Sequence, residues 1–281
     1  LWRRTGGAAR KEDAAVYDVE RHGPVTAGRA LVRLGSAGMR VYVFYVDGLL
    51  VDTGPRRLAE GFRRFVDGLP GVEQVVLTHL HEDHAGMASE VAAAGVPVYC
   101  HPDAVGRTEQ RFRLPLYRRA FWRTPEPFPS RPLPERLETG QYRFRIIPTP
   151  GHAAEHVALH EPSQGWLFSG DLYLGTRLRT AMRQESLPVL MESIRQVLAL
   201  EFDTIFCAHA GVVANGQAAL RAKLEYLEEL AGQVRRLAQQ GLTVEEVTRR
   251  LFPGVQPLTV FSCGEYSPLH VVRSLWPREE A

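Results

Sequence analysis

Short apolar runs and helix-spaced apolar positions take turns along this chain. Residues 15–52 read as successive strands. Within them Val41-Tyr42-Val43-Phe44-Tyr45-Val46 lacks polar alternation, so both faces of that strand are expected to be buried. After Pro55, the positions Leu58, Phe62, Phe65, Val66 and Leu69 keep helical spacing. Residues 74–77 read as a strand, 83–94 as a helix with Asp83 as its N-cap, and 96–100 as the next strand. Further strand-like runs cover 144–147, 166–168 and Thr204–Cys207. The last third is helical. Leu220, Leu224, Leu227, Leu230, Val234 and Leu237 form a stripe that ends at Gly241. Thr243 with Glu246 makes a capping box and Leu242 with Val247 a hydrophobic staple, and Ser267-Pro268 opens a last helix. Periodicity alone yields a mixed α and β chain.

Composition narrows the class. With 44% apolar and 23% charged residues, the chain can build a core and is no disordered tail. Its 281 residues suit one large domain, or a domain with an appendage. A net charge of +2 gives no global pull towards polyanions. Cys100, Cys207 and Cys263 are odd in number and far apart, which implies no disulfide framework and fits a reducing cytoplasm. Leu1-Trp2-Arg3-Arg4 is basic but leads into no apolar stretch, so no signal peptide is expected. No run approaches the ~18 apolar residues of a membrane span. Cytoplasmic location without membrane attachment is therefore expected.

One segment carries most of the chemistry. Thr78-His79-Leu80-His81-Glu82-Asp83-His84 places three imidazoles and a carboxylate side by side. Such donors crowd together mainly to hold a cation such as Zn²⁺ or Fe²⁺. Elsewhere single donors sit at the tips of strand-like runs: His152 in Pro150-Gly151-His152, Asp171 in Ser169-Gly170-Asp171, and His209 in Cys207-Ala208-His209. Strand ends of this kind can converge on one sheet edge, where loops hold sites. His22, His101, His160 and His270 read as ordinary surface or core histidines. His156, four residues after His152, reads as structural, because Gly151 and the strand-like 157–160 argue against a helical metal pair. Cys207 reads as a buried structural thiol. Tyr173 is within reach of a substrate oxygen, with packing as its competing role. No nucleophilic serine motif of the Gly-x-Ser-x-Gly kind is present.

The set His79-x-His81-x-Asp83-His84, His152, Asp171 and His209 resembles the metallo-β-lactamase-fold hydrolase superfamily, its glyoxalase II and lactonase branches in particular. Val51-Asp52-Thr53-Gly54 is similar to the early aspartate motif of that superfamily. The resemblance covers roughly residues 15–210. It implies an α/β (α+β) fold, a four-layer αββα sandwich with a helical C-terminal extension. It implies two divalent metal ions, zinc first, with iron or manganese as alternatives. His79, His81 and His152 would bind one, and Asp83, His84 and His209 the other. Asp171 would bridge them, and Asp52 would orient a ligand histidine from behind. Asp83 and Asp171 are the catalytic candidates. Ala210-Gly211-Val212-Val213 departs from the glyoxalase II pattern.

The resulting domain plan is a flexible lead-in at 1–14, a metallo-β-lactamase-like domain at 15–213 and a helical extension at 214–281. An insertion at 102–136 breaks the strand and helix rhythm with eight arginines and five aromatics. It reads either as a cationic, aromatic lid selecting an anionic substrate, or as an amphipathic segment whose aromatics pack on the core. The extension reads as a helical cap over the cleft or a homodimer interface rather than a winged-helix module, because it has few basic residues. The expected activity is hydrolysis of an ester, thioester, lactone or phosphoester in a small molecule, by a hydroxide bridged between two metals. A mononuclear iron enzyme resembling the persulfide dioxygenases and an RNA-processing nuclease are the alternatives, with nucleic acid the less favoured partner.

Overall fold

A computed structural model of the chain describes residues 16–35 and 37–277. The lead-in expected at 1–14 lies outside the described residues. Two sheets face each other. The first runs in the order β1 (Asp18–His22), β2 (Val25–Leu34), β3 (Ala37–Val46), β4 (Leu49–Val51), β5 (Gln74–Val76), β6 (Val98–Cys100) and β7 (Arg131–Pro132). The second contains β8 (Arg136–Glu138), β9 (Arg143–Pro148), β10 (Val157–Glu161), β11 (Trp166–Gly170), β13 (Thr204–Cys207) and β14 (Gly211–Val213), in the order β14-β13-β11-β10-β9-β8. A two-stranded ribbon pairs β12 (Ala181–Met182) with β15 (Tyr266–Ser267).

Strand periodicity explains the layers. In β3, Val41, Val43 and Tyr45 point to one core, while Tyr42, Phe44 and Val46 point to another. The second of these cores lies between the sheets, where Phe44 and Val51 meet Phe168 and Phe206 of the second sheet. Phe168 and Phe206 stack with centroids 4.7 Å apart, and truncating either to Ala is expected to cost about 3–5 kcal/mol. Outside the first sheet pack α1 (Ala59–Asp67), α3 (Ala88–Ala93) and α5 (Leu116–Trp122). Outside the second pack α6 (Leu187–Leu198), α7 (Gly216–Gln239), α8 (Val244–Leu251) and α10 (Pro268–Leu275). This is the four-layer αββα sandwich. The remaining short helices are α2 (Glu82–Ala85), α4 (Val105–Thr108) and α9 (Pro257–Phe261).

Strand direction then decides where loops collect. β4 and β5 run parallel, so the residues that follow them, Asp52 and the 78–84 loop, emerge at the same edge. β9 and β11 are each antiparallel to β10, and β13 is parallel to β11. The ends of β9, β11 and β13 therefore also share an edge. The two edges meet, joined by Val157 N–H donating to the Thr78 carbonyl and Tyr42 N–H to the Ala208 carbonyl, both at 2.8 Å. Convergence thus involves two sheets, where the sequence pattern suggested one.

The helix expected over 83–94 is broken. α2 ends at Ala85 and α3 begins at Ala88, and the N-cap is His81, not Asp83, with no side-chain capping bond. Thr53 is the cause. Its backbone N–H and its hydroxyl both donate to the His84 carbonyl at 2.7 Å, and Met87 N–H donates to its hydroxyl at 3.1 Å. The carbonyl that would have continued the helix is taken. Gly86 permits the approach: a Cβ there would lie 2.5 Å from the Gly54 carbonyl oxygen. In the extension, α7 buries the expected leucine stripe, and the Thr243–Glu246 capping box is formed. α6 was missed although Leu187, Leu190, Met191, Ile194 and Val197 keep helical spacing, whereas α9 and the β12–β15 ribbon are too short to show a period. No described helix is long and apolar enough to cross a membrane.

In the 102–136 segment the aromatics Phe121, Trp122 and Phe128 are buried in the first core, and Phe112 stacks on Phe128. Of its arginines only Arg118 is buried, whereas 107, 111, 113, 119, 123, 131 and 136 are exposed.

Candidate metal centre

The donors meet at the joined edges in two groups. His79, His81, His152 and Asp171 form one, and Asp83, His84 and His209 the other, with ligand-type atoms in each group within 4.8 Å of one another. His81 Nδ1 lies 2.9 Å from His79 Nε2 and 3.0 Å from His152 Nε2. Three ring nitrogens aimed at one point cannot satisfy one another, since a neutral imidazole offers one donor and one acceptor. Asp171 faces both groups. Its Oδ2 is 3.2 Å from His152 Nε2, and its Oδ1 is 3.3 Å from His84 Nε2 and 3.5 Å from His209 Nε2. His209 Nε2 also lies 3.2 Å from Asp83 Oδ2. His84 Nε2 and Asp171 Oδ1 are buried with no hydrogen-bond partner. A cation is the partner this donor set suits.

Groups behind the ligands set their tautomers. Asp52 Oδ2 accepts from His84 Nδ1–H at 2.8 Å, which turns Nε2 inward as the atom a metal would take in place of its proton. Asp52 is itself fixed, accepting from Thr78 N–H at 2.8 Å and from the Thr78 hydroxyl. It holds a left-handed backbone, φ 61°, which an aspartate tolerates better than most residues. The Arg40 carbonyl accepts from His209 Nδ1–H at 2.7 Å. Glu185 Oε2 stands 3.4 Å from His152 Nδ1. His156 is not among the ligand groups. Its Nε2 accepts from the Asp171 backbone N–H at 3.0 Å, so its proton is on Nδ1, 2.7 Å from the Thr149 hydroxyl. Gly170 makes room for this contact: it has φ 47°, and a Cβ there would lie 2.6 Å from His156 Nε2.

The electrostatics follow from burial and neighbours. Burial, reinforced by the surrounding imidazoles, pushes His79 well below the ordinary histidine range. Burial, with His152 beside it, lowers His156 to about 3. Burial disfavours a charge on His84 as well, but Asp171, Asp52 and Asp83 outweigh it and raise that imidazole. His209 rises to about 9 against its burial, drawn up by Asp171 and Asp83. Asp171 stays well below the carboxylate range despite burial, because of His209 and His84.

A family model for the metallo-beta-lactamase superfamily matches residues 39–209. The chain belongs to that superfamily. Membership in this metallo-hydrolase superfamily supports an enzyme. Among curated relatives, "Probable metallo-hydrolase YqjP" of Bacillus subtilis (strain 168) is 26% identical, over 79% of this chain and 82% of its own length. A "Hydroxyacylglutathione hydrolase" of Mesorhizobium japonicum is 35% identical, over 30% of this chain and 33% of its own. Two solved structures share the superfamily fold. A beta-lactamase domain protein from Burkholderia ambifaria has a TM-score of 0.68 at 21% identity, covering 94% of this chain and 92% of that one. A metallo-beta-lactamase family protein from Thermus thermophilus has a TM-score of 0.63 at 20% identity, covering 89% and 90%.

Tyr173 packs in the core beneath the second sheet, with its hydroxyl 3.5 Å from Thr176. Cys207 is fully buried, and its sulfur accepts from Ala210 N–H at 3.4 Å. Sequence reasoning missed Glu185, Lys223 and the Glu82–Arg118 pair. Lys223 alone had a signal: it interrupts the buried stripe of α7 and is one of two lysines in the chain. Its amine donates to the Leu172 carbonyl at 2.8 Å and to the Tyr173 carbonyl, just after Asp171.

Proposed function

We propose that the chain is a dinuclear metallohydrolase that cleaves an ester, thioester or lactone bond in a small, anionic substrate. The observation that carries this reading is Asp171, whose two oxygens face different donor groups. His79, His81 and His152 would hold one divalent ion, and Asp83, His84 and His209 the other, with zinc the first candidate. Bound there, such a pair supplies a water activated at neutral pH and offsets negative charge on the substrate oxygen.

The chain's own residues do the rest. Asp52 and the Arg40 carbonyl keep His84 and His209 in the tautomers that direct Nε2 inward. His156 fixes the backbone of Asp171, and Lys223 holds the carbonyls that follow it. Asp83, whose Oδ2 lies 3.2 Å from His209 Nε2, would steer the proton of the attacking water. Arg111, Arg113, Arg119 and Arg123 stay exposed on the insertion, which supports an anionic substrate.

Elemental analysis of the purified protein, before any metal is added, tests this directly. About two zinc per chain, followed by turnover of thioesters or lactones, is the expected result. About one iron per chain, with oxygen uptake on persulfides, would replace it with the oxygenase alternative.

A further inference from the structure

The guanidinium of Arg118 joins parts of the chain that are far apart in sequence. Its Nε and Nη2 donate to Glu82 Oε1 and Oε2 at 2.5 and 2.7 Å, a two-pronged grip. Its Nη1 donates to Glu265 Oε1 at 2.9 Å and lies 3.7 Å from Met182 Sδ. The side chains of Arg118 and Glu82 are 9% and 1% exposed. Arg118 is carried by α5, whose Phe121 and Trp122 are locked in the first core. Glu82 stands between the ligands His81 and Asp83. Glu265 precedes β15 of the C-terminal extension. Met182 belongs to β12, and its backbone N–H donates at 2.9 Å to Glu185, the carboxylate facing His152.

The ligand loop needs such a grip. α2 spans only Glu82–Ala85 and has no side-chain cap, so little in its local sequence holds its orientation. Both oxygens of Glu82 are taken by Arg118, which turns that carboxylate away from the neighbouring donors.

We propose that Arg118 is a positioning residue for the metal-ligand loop. Held through Glu82, the loop presents His81 and Asp83 in the geometry a metal needs. Held through Glu265 and Met182, the C-terminal extension and the β12 turn are tied to the same point. The inference rests on the dinuclear reading only in requiring that metal binds.

The test compares wild type with Arg118→Met, Arg118→Lys and the double variant Glu82→Leu/Arg118→Met, all as the full chain. Replacing both partners of a buried pair with apolar residues preserves stability far better than removing one, so the double variant keeps the question answerable if Arg118→Met does not fold. Co²⁺ affinity is read by competition with a chromophoric chelator, the visible cobalt spectrum reports ligand geometry, and metal-free melting reports the fold. Affinity is expected to fall about 10- to 100-fold in Arg118→Met and in the double variant, with altered cobalt bands. Arg118→Lys should lose less, because one ammonium replaces half the grip. A double variant with native cobalt affinity and spectrum overturns the proposal, whatever its melting temperature. Wild type that takes up no cobalt overturns the metal reading as well. Wild type that binds two cobalt ions but cleaves no ester, thioester or lactone sinks the proposed activity and leaves the positioning role standing.

Discussion

The two halves of the candidate metal centre are built in opposite ways. On the first sheet's side, His79, His81, Asp83 and His84 come from one loop, and remote residues hold that loop: Asp52, Thr53 and Arg118. On the second sheet's side, His152, Asp171 and His209 follow three separate strand ends, those of β9, β11 and β13, and each meets a group from another segment: Glu185, His156 and the Arg40 carbonyl. Ligands clustered in sequence lean on distant braces, whereas ligands scattered in sequence lean on the sheet itself. The first half should therefore be sensitive to its braces, and the second to the strands and to the groups that seat them.

Asp171 belongs to both halves, so replacing it should break the comparison altogether. Asp171→Ala is expected to retain the fold, to lose one metal equivalent and to lower turnover by at least about a hundred-fold, more than loss of a supporting group would. Elemental analysis and steady-state turnover check this, and full turnover in that variant would sink the two-metal mechanism.

Lys223 sharpens the second half. Burial lowers its amine from the ordinary 10.5 to about 8. Between those values the unfolded chain binds more protons than the folded one, so stability should rise as pH climbs through that window. The contribution is about 3 kcal/mol, from roughly two and a half units at 1.36 kcal/mol each. Denaturant unfolding of metal-free protein between about pH 7.5 and 10 should show this gain in wild type and lose it in Lys223→Met. A flat profile in wild type would mean that the amine keeps its proton in the folded chain, held by the Leu172 and Tyr173 carbonyls or reached by solvent.

Asp52 tests the first half. Asp52→Asn keeps the size and tolerates the left-handed backbone, but weakens the acceptor for His84 Nδ1–H. Metal affinity should fall about 10- to 100-fold, with little change in metal-free melting. An unchanged affinity would make the aspartate a packing residue. The smallest effect is expected farthest away. Thr243→Ala removes the cap of α8 and should cost about 1 kcal/mol of stability without moving metal affinity, which thermal unfolding and the cobalt competition together can verify.

Much of this was legible in the residues, for physical reasons that differ from element to element. The strand Val41–Val46 declared burial on both faces because none of its positions is polar, and it lies between two cores. The α7 stripe and the Thr243 cap were legible because helix packing and capping are local in sequence. The helix expected over 83–94 failed because its break comes from Thr53, some thirty residues earlier, which competes for a carbonyl no local window contains. In the 102–136 insertion, the spacing of Phe121, Trp122 and Phe128 could not separate packing from a lid, and the core they enter is made by other elements.

By itself, the sequence determined the donor types, the crowded loop, the strand-tip placement of His152, Asp171 and His209, and an alternation of apolar positions that builds sheets and helices. These depend on neighbours along the chain. Only the tertiary structure decided that two sheet edges meet, that Asp171 faces both donor groups, that Asp52 selects the His84 tautomer, and that Arg118 grips Glu82 rather than lining a cationic lid. Each of those depends on hydrogen bonds and ion pairs between segments tens of residues apart. Such contacts act over a few ångströms in space and leave no periodic trace in sequence.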